Sequence, residues 1–165
     1  MPVLCVKAVS RPMEESSSTD LAFMQRALEL AGRAQEQGEV PVGAVIVYDG
    51  RIVGEGWNHP ISSADATSHA EIEAIRAACK TLDNYRIPGS TIYVTLEPCV
   101  MCCGAILHAR IGRVVFGASD PKTGGCGSVV NLLAEPKLNH HATVLSGVMA
   151  NESATLLRSF FAGRR

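Results

Sequence analysis

Two short segments of this chain carry the side chains that could do chemistry. The first is His69-Ala70-Glu71 and the second is Pro98-Cys99-Val100-Met101-Cys102. One imidazole and two thiolates fill three positions of a tetrahedral zinc ion, and a fourth position left to water distinguishes a catalytic site from a closed structural one. Zinc lowers the pKa of bound water to about 7, which makes hydroxide available at neutral pH. We therefore expect one zinc ion per chain, bound by His69, Cys99 and Cys102.

Glu71 is a carboxylate that lies beside these ligands in the sequence without being needed as one. Hydrolysis by a metal-bound water needs a group that accepts a proton from the water and delivers a proton to the departing group. Glu71 follows His69 by two residues near the start of a predicted helix, so it can lie near the metal. We predict that Glu71 is this catalytic proton carrier.

The two cysteines of the second segment are expected on a helix that Pro98 opens, because proline suits the first helical turn. Cys99 then lies at the positive end of the helix dipole, which favours its thiolate. Cys102 follows one turn later and can project toward the same point. Cys103 is four residues from Cys99 and could face the metal instead, so spacing alone leaves Cys102 and Cys103 as alternatives.

The elements that must position these side chains follow from hydrophobic periodicity and turn signals. A first helix is predicted from about Asp20 to Gln37, capped by Thr19 or Ser18 and ended by Gly38. A hairpin over residues 43–48 and 52–56 surrounds the turn pair Asp49-Gly50. The remaining predicted elements are helices over 69–82, 99–109 and 152–161 and strands over 91–95, 113–116 and 143–145. This alternation predicts an α/β sandwich around a central sheet, with the zinc between two helix N-termini.

Length and composition indicate one domain. The 165 residues are 47% hydrophobic, enough for one buried core and too few for two ordinary domains. We expect residues 1–18 to be a flexible N-terminal extension and residues 19–165 to form the domain. Three of the six cysteines cluster in the motif, which suggests metal binding in a reducing compartment, and hence a cytoplasmic protein. No apolar run is long enough to span a bilayer, so no membrane association is expected.

The charges are distributed unevenly along the chain. Residues 1–82 contain 7 Lys/Arg and 11 Asp/Glu, whereas residues 83–165 contain 8 and 5, although the net charge is only −1. A polyanion site is therefore expected in the second half. The candidates are Arg110, Arg113, Lys122, Lys137, His140, His141, Arg158, Arg164 and Arg165. The loop Gly117–Gly127 follows a predicted strand, where ligands of α/β proteins commonly bind.

Longer runs give the chain a resemblance to a known family. They include Glu39-Val40-Pro41-Val42-Gly43-Ala44, Gly54-Glu55-Gly56-Trp57-Asn58, Asn84-Tyr85-Arg86, Val94-Thr95-Leu96-Glu97-Pro98 and Arg113-Val114-Val115-Phe116-Gly117-Ala118, besides the two zinc segments. From about Leu21 to Arg165 the chain resembles the tRNA-specific adenosine deaminases, a branch of the cytidine deaminase-like superfamily. The resemblance implies a three-layer α/β/α sandwich with a central mixed sheet of about five strands.

The resemblance also implies roles for individual residues. His69, Cys99 and Cys102 correspond to the zinc ligands and Glu71 to the proton shuttle. Asn58 is similar to a residue that hydrogen-bonds a flipped nucleotide, and Val42 to part of the wall against which its base packs. Asp120 and Lys122 match a loop that contacts the anticodon-loop backbone, and Arg164 and Arg165 match a basic helix end that touches RNA. The chain departs from the family pattern at Cys103, commonly alanine, and in its N-terminal extension.

The expected function is hydrolytic deamination of the wobble adenosine to inosine in a tRNA anticodon stem-loop, by a homodimer in which each subunit helps to complete the RNA surface of its partner. Two alternatives remain open from the sequence. One is deamination of a free nucleobase or nucleoside, of the guanine or cytosine type, at the same metal centre. The other is a catalytically silent, zinc-stabilised RNA-binding subunit, against which Glu71 argues because a scaffold does not need that carboxylate.

Overall fold

The computed structural model describes residues 16–164 of the chain. The strands are β1 (Gly43–Tyr48), β2 (Arg51–Trp57), β3 (Thr91–Leu96), β4 (Arg113–Ala118) and β5 (Thr143–Leu145). The helices are α1 (Ser18–Glu36), the short α2 (Pro60–Ser63), α3 (Ala70–Leu82), α4 (Val100–His108) and α5 (Ala150–Ala162), with a 3-10 turn at Leu132–Ala134. All of these helices and strands were predicted from the sequence except α2 and the 3-10 turn, which are too short to show periodicity.

The five strands form one mixed sheet in the order β2-β1-β3-β4-β5. β1 is antiparallel to β2 and to β3, whereas β3, β4 and β5 are parallel to one another. The hairpin turn has positive φ at Asp49 (51°) and Gly50 (72°), as a type I′ turn requires. The predicted mixed sheet of about five strands is confirmed.

Helices cover both faces of the sheet, since alternate residues of a strand point to opposite sides. On one face, Met24 and Leu30 of α1 pack with Val45 of β1 and Val115 of β4. On the other face, the alternate strand residues pack with α3 and α4. That second core includes Ala44, Ile46, Ala70, Ala74, Ile92, Val94, Ile106, Val114 and Phe116. The structure is therefore the expected three-layer α/β/α sandwich.

Two glycines of β2 allow α3 to approach the sheet closely. A Cβ atom at Gly56 would lie 2.4 Å from the carbonyl oxygen of Ala70, and one at Gly54 would lie 2.3 Å from that of Ala74. Both distances are too short for any side chain. Because neither position carries a side chain, the first turn of α3 can pack directly against β2. His69, the residue before α3, is therefore held close to the sheet.

The N-cap of the first helix lies one residue before the predicted caps. Ser17 is its N-cap, and the Asp20 N–H donates to the Ser17 hydroxyl while the Ser17 N–H donates to the Asp20 carboxylate, which completes a capping box. The expected caps, Thr19 and Ser18, lie within the helix instead. The pairing of Ser17 with Asp20, three residues on, was the signal in the sequence that identifies the cap.

Arg113 was a candidate for polyanion binding, but its side chain is directed into the fold. Its guanidinium donates to both carboxylate oxygens of the buried Asp20, at 2.8 and 3.0 Å. The Tyr93 hydroxyl donates to the same carboxylate at 2.8 Å. Arg113 therefore joins α1 to the sheet.

Two sequence predictions lie wholly or mainly outside the described residues. The N-terminal extension was predicted over residues 1–18, of which only 16–18 are described, and Arg165 is not described. The domain boundary thus stays a prediction. Among the described residues, no helix is both long and apolar enough to cross a membrane.

Candidate active site

The imidazole of His69 and the thiols of Cys99 and Cys102 converge at one point. The Nδ1 atom of His69 lies 3.6 Å from Sγ of Cys99 and 3.5 Å from Sγ of Cys102. All three potential ligand atoms lie within 4.8 Å of one another. The set of one nitrogen and two sulfur ligands, at these separations, fits a zinc ion with one position left for water. In the described part of the chain this is the one such cluster of histidine, cysteine and acidic side chains.

Two helix starts bring these ligands together. His69 is the N-cap of α3 and Cys99 is the N-cap of α4, so both lie at positive helix ends. The prediction that Pro98 lies in the first helical turn is wrong, because Pro98 precedes the N-cap and α4 begins at Val100. Cys99 therefore lies outside the helix, beside the free N–H groups of its first turn. The predicted position of the metal between two helix N-termini is consistent with this arrangement.

The thiols and the imidazole polarise one another even without a metal. A hydrogen bond from Cys102, together with His69, lowers the pKa of Cys99 to about 4 despite its partial burial. The neighbouring Cys99 sulfur and burial raise the pKa of Cys102, while the Cys99 thiolate raises that of His69. The cluster thus concentrates negative charge on sulfur, which is the condition that favours binding of a divalent cation.

Cys103 faces away from this cluster. Its sulfur lies 3.7 Å from the Pro98 carbonyl oxygen and 3.6 Å from Sγ of Cys126. Of the two alternatives that the spacing left open, Cys102 is the residue whose sulfur lies beside His69. The Cys103 side chain points toward Cys126, in a loop more than twenty residues later in the chain. Local spacing therefore could not show which of the two cysteines faces the metal.

Glu71 lies on the first turn of α3 and is 4% exposed. Burial raises the pKa of its carboxyl group to about 7, in part offset by its backbone N–H and by His69. A carboxyl group with a pKa near the working pH is able both to accept and to return a proton. Glu71 also interacts with the Cys102 thiol, so it lies against the proposed ligands.

Asn58 and Val42 are joined to the start of α3. The Asn58 side-chain oxygen accepts a hydrogen bond from the Ala70 N–H at 2.8 Å, and its backbone N–H donates to the Val42 carbonyl at 3.1 Å. Both residues are buried, with exposed fractions of 8% and 4%. Within the described residues, none accepts a hydrogen bond from the Asn58 amide nitrogen. Asn58 therefore anchors the turn next to His69 through its side-chain oxygen.

Comparison with known proteins places this site in a family. The model of the cytidine and deoxycytidylate deaminase zinc-binding region matches residues 17–118. The tRNA-specific adenosine deaminase of Haemophilus influenzae is 55% identical over 150 residues, 90% of this chain and 87% of that protein. That of Bacillus subtilis is 46% identical over 142 residues, 86% of this chain and 88% of that protein. This chain belongs to the tRNA-specific adenosine deaminase family.

A solved structure agrees with this assignment. It comes from studies of A-to-I editing by tRNA:A34 deaminases at the wobble position of transfer RNA, and it matches with a TM-score of 0.80 and 47% identity. The match covers 82% of this chain and 99% of that chain. The zinc-binding region of the family includes all four residues of the motif, His69, Glu71, Cys99 and Cys102. Zinc is accordingly the cofactor of this deaminase domain.

Asp120 and Lys122 lie in the loop that follows β4. The Asp120 carboxylate accepts the N–H groups of Lys122 and Thr123, at 2.9 and 3.2 Å, and the Thr123 hydroxyl at 2.7 Å. Burial would raise the pKa of Asp120, but these hydrogen bonds outweigh it and keep the pKa below its ordinary value. Asp120 therefore shapes the turn that presents the exposed Lys122 side chain.

Glu97 is a buried residue of the site that sequence analysis missed. It is 2% exposed and accepts the N–H groups of Asp120 (2.9 Å), Cys126 and Ser128 (both 3.1 Å), as well as the Ser128 hydroxyl. These hydrogen bonds lower its pKa although burial acts in the opposite direction. Glu97 fastens the loop beside Pro98 and Cys99. An acidic residue at the end of a buried strand was the available signal.

A cavity of about 380 Å³ lies between this loop and α5. Its lining includes Val40, Asp120, Lys122, Leu157 and Phe161. At the end of α5, the guanidinium of Arg164 donates to the Gly38 carbonyl and lies 4.1 Å from the ring centroid of Phe160. Arg164 thus ties the end of α5 to the turn after α1. Asp120 and Lys122 share a cavity with α5, whereas Arg164 lies at the end of that helix.

Proposed function

We propose that this chain catalyses the zinc-dependent hydrolytic deamination of the wobble adenosine in a tRNA anticodon loop, giving inosine and ammonia. The observation that carries the proposal is the buried Glu71 carboxyl beside the converging atoms of His69, Cys99 and Cys102. Relatives that are 55% and 46% identical over most of their length are named tRNA-specific adenosine deaminases. A structural zinc site would not need a carboxyl group poised near neutral pH.

In this proposal, His69, Cys99 and Cys102 hold the zinc ion. When bound, zinc lowers the pKa of water, which supplies the nucleophile for attack on C6 of adenine. The Glu71 carboxylate accepts a proton from water and protonates N1 of the ring. Glu71 then accepts the remaining proton of the hydroxyl group added at C6 and delivers it to the amino group, so that the C6–N bond breaks and ammonia departs. The low exposure of Glu71 excludes bulk water that would compete for these protons.

The proposed nucleotide contacts come from residues around this centre. We assign the free amide donor of Asn58 to the flipped nucleotide and Val42 to the wall behind its base. Lys122 and the Asp120 turn are assigned to the backbone of the anticodon loop, together with Arg164 and Arg165 at the end of the chain. Recognition of an unpaired RNA loop depends on pockets and a few cations more than on a broad basic face, which agrees with a net charge of −1.

We further propose that the protein acts as a homodimer in the cytoplasm. Exposed apolar side chains lie on the first turn of α4 and on the loops that follow β4. They are Val100, Met101, Val129, Val130 and Leu138, and are called here the α4 patch. An apolar patch next to the site suits a partner subunit that completes the RNA surface. The five described cysteines are all free thiols, which is typical of a reducing compartment.

The function is tested by comparing turnover on an anticodon stem-loop with turnover on free adenosine, guanine and cytidine. The zinc-loaded protein should form inosine in the stem-loop, at the wobble position only, and should leave the free compounds almost unchanged. A stem-loop with guanosine at the wobble position is the matched control. Deamination confined to the free compounds would instead assign the site to nucleobase or nucleoside metabolism. Binding of the stem-loop without any turnover would indicate a silent RNA-binding subunit.

A further inference from the structure

The thiols of Cys103 and Cys126 form a second sulfur pair that the zinc site does not use. Their Sγ atoms are 3.6 Å apart. Cys103 lies on α4, next to Cys102, and is fully buried, whereas Cys126 lies in the loop after β4 and is partly exposed. The two residues are distant in sequence, so the fold itself brings the sulfurs together.

The backbone holds the Cys126 side of this pair against α4. The Gly125 N–H donates to the Pro98 carbonyl at 2.7 Å, and Gly124 forms an isolated β-bridge with Cys99. A Cβ atom at Gly125 would lie 2.9 Å from the Cys103 sulfur, so the loop passes close to this thiol. The Cys126 N–H donates to Glu97 at 3.1 Å. The proximity of the sulfurs therefore does not depend on one side-chain rotamer alone.

We propose that Cys103 and Cys126 are a modification site at which a hydroperoxide forms a reversible disulfide, fastening the loop after β4 to the metal-bearing helix. The S–S bond is about 2.05 Å long, so the two sulfurs must approach by about 1.5 Å for the bond to form. Cys99 and Cys102 take no part in this disulfide, because their sulfurs are bound to zinc in the zinc-loaded protein.

The chemistry balances with one hydroperoxide per disulfide. The partly exposed Cys126 sulfur attacks the peroxide, so that an S–O bond forms, the O–O bond breaks and water or an alcohol leaves. The buried Cys103 sulfur then attacks the Cys126 sulfur. The S–S bond forms, the S–O bond breaks, and hydroxide leaves with the proton of the Cys103 thiol as water. Two thiols are oxidised and one peroxide is reduced. A dithiol reverses the modification by exchange.

The test treats the zinc-loaded full chain with a small excess of hydrogen peroxide, blocks the remaining thiols by alkylation and maps the peptides by mass spectrometry without reduction. The expected product is a cross-link between the Cys103 and Cys126 peptides with the loss of two hydrogens, zinc retained, and full reversal by dithiothreitol. Cleavage of the native protein by trypsin after Lys122 should slow by about fivefold or more, because opening the loop becomes more costly.

Matched variants separate this pair from the other thiols. Cys126→Ser should abolish both the cross-link and the slower cleavage, while Cys79→Ser, on α3, should leave both unchanged. Circular dichroism and zinc content verify that each variant is folded. Accumulation of Cys126 sulfinic acid with Cys103 still open to alkylation after unfolding would overturn the proposal. So would a Cys99–Cys102 disulfide with loss of zinc and no link between Cys103 and Cys126.

Discussion

At the scale of single residues, the chemistry depends on the contrast between Glu71 and its neighbours. Glu71 is buried against the thiols, whereas Glu73, two residues later on α3, pairs with Arg76 at 2.9 Å at the surface. The two carboxyl groups have the same composition and nearly the same place in the chain. Burial raises the pKa of Glu71 to about 7, which suits this carboxyl group to proton transfer at neutral pH.

Replacement of this carboxyl group should separate catalysis from metal binding. Glu71→Gln keeps the size of the side chain but removes the proton carrier, so inosine formation should fall by about 10²- to 10⁴-fold, the range for a lost general acid/base. Zinc content, measured by atomic absorption, should stay at one per chain. Glu73→Gln is the matched control and should retain nearly full activity. Substantial activity in Glu71→Gln would assign proton transfer to another group.

The two adjacent cysteines should differ in their effect on the metal. Cys102→Ser replaces a sulfur that lies 3.5 Å from His69 Nδ1, so zinc should be lost on dialysis and activity with it. Cys103→Ala removes a sulfur that faces Pro98 and Cys126, so zinc should be retained. Zinc content and activity after dialysis check both results. Equal zinc loss in both variants would show that Cys103 also contacts the metal.

The two helix starts that hold His69 and Cys99 could be predicted from the sequence because helix signals are local. Spacing left Cys102 and Cys103 as alternatives, because both lie about one helical turn after Cys99. Glu97 could not be assigned, since its partners are N–H groups more than twenty residues away. The inward direction of Arg113 depends on Asp20, which precedes it by 93 residues. Sequence patterns report periodicity well and such long-range pairings poorly.

At the scale of elements, two buried carboxylates join segments that are distant in the chain. Asp20 connects α1 to β4 and β3 through Arg113 and Tyr93, and Glu97 connects the end of β3 to the loop after β4. The helices and strands themselves were predictable from periodicity and turn residues, with errors of one or two residues at their ends. The connections between them were not, because no local signal specifies which buried acid meets which donor.

The Asp20 connection should make stability depend on pH in the acid range. The hydrogen bonds from Arg113 hold the pKa of Asp20 well below its ordinary value of 3.8. A group with a lowered pKa in the folded state stabilises fully above its unfolded pKa and loses that contribution as the pH falls below it. At pH 7, Asp20→Asn should reduce the free energy of unfolding by roughly 1–3 kcal/mol, as expected for a charged hydrogen bond.

Urea unfolding at several pH values measures this dependence. The difference between the wild type and Asp20→Asn should be constant above about pH 5 and shrink below about pH 4, where the wild-type carboxylate becomes protonated in the unfolded state. Glu29→Gln is the control, because Glu29 forms an exposed pair with Arg26 that is worth at most about 0.5 kcal/mol. A difference that stays constant down to pH 2 would contradict the assignment to Asp20.

The Glu97 connection should govern the loop that is proposed to contact RNA. Glu97→Gln keeps the shape but replaces one acceptor oxygen with a donor that faces the N–H of Asp120 or Ser128. Loss of this charged acceptor should cost about 1–3 kcal/mol of stability. It should also raise the KM for the stem-loop more than it lowers kcat, since the loop is proposed to hold RNA contacts rather than reacting groups. Zinc should be retained.

Ser128→Ala removes one hydroxyl donor to Glu97 and leaves the three N–H donors in place. Ser128→Ala should therefore raise the KM and lower the free energy of unfolding in the same direction as Glu97→Gln, but by less. Stem-loop kinetics, zinc content and urea unfolding measure these effects in both variants. If kcat fell in Glu97→Gln while KM stayed constant, the carboxylate would instead act on the chemical step or on Cys99.

At the scale of the whole molecule, the α4 patch lies next to the active site and has no apolar cover within the described chain. Two of its members, Val100 at 51% and Leu138 at 37% exposure, line one cavity of about 340 Å³. An interface that uses this patch would bring a second subunit close to Cys99 and to the loop after β4. The resemblance to the family implies a dimer, but the exposed apolar residues of this patch are scattered between positions 100 and 138, so no local pattern in the sequence identifies them as an interface.

A charge within the patch should dissociate the proposed homodimer. Leu138→Glu would bury a carboxylate in an apolar interface, so the dimer dissociation constant should rise at least about tenfold, equivalent to about 1.4 kcal/mol. Ile52→Glu is the matched control, because Ile52 has a similar exposure of 38% but lies on the outer strand β2, at the far edge of the sheet. Sedimentation velocity over a range of concentrations measures the dimer dissociation constant of each variant.

The editing activity of the Leu138→Glu protein then tests whether the dimer matters for RNA. If the monomeric variant edits the stem-loop as well as the wild type does, the partner contributes nothing to RNA binding. If the variant binds zinc but edits poorly, the dimer completes the RNA surface.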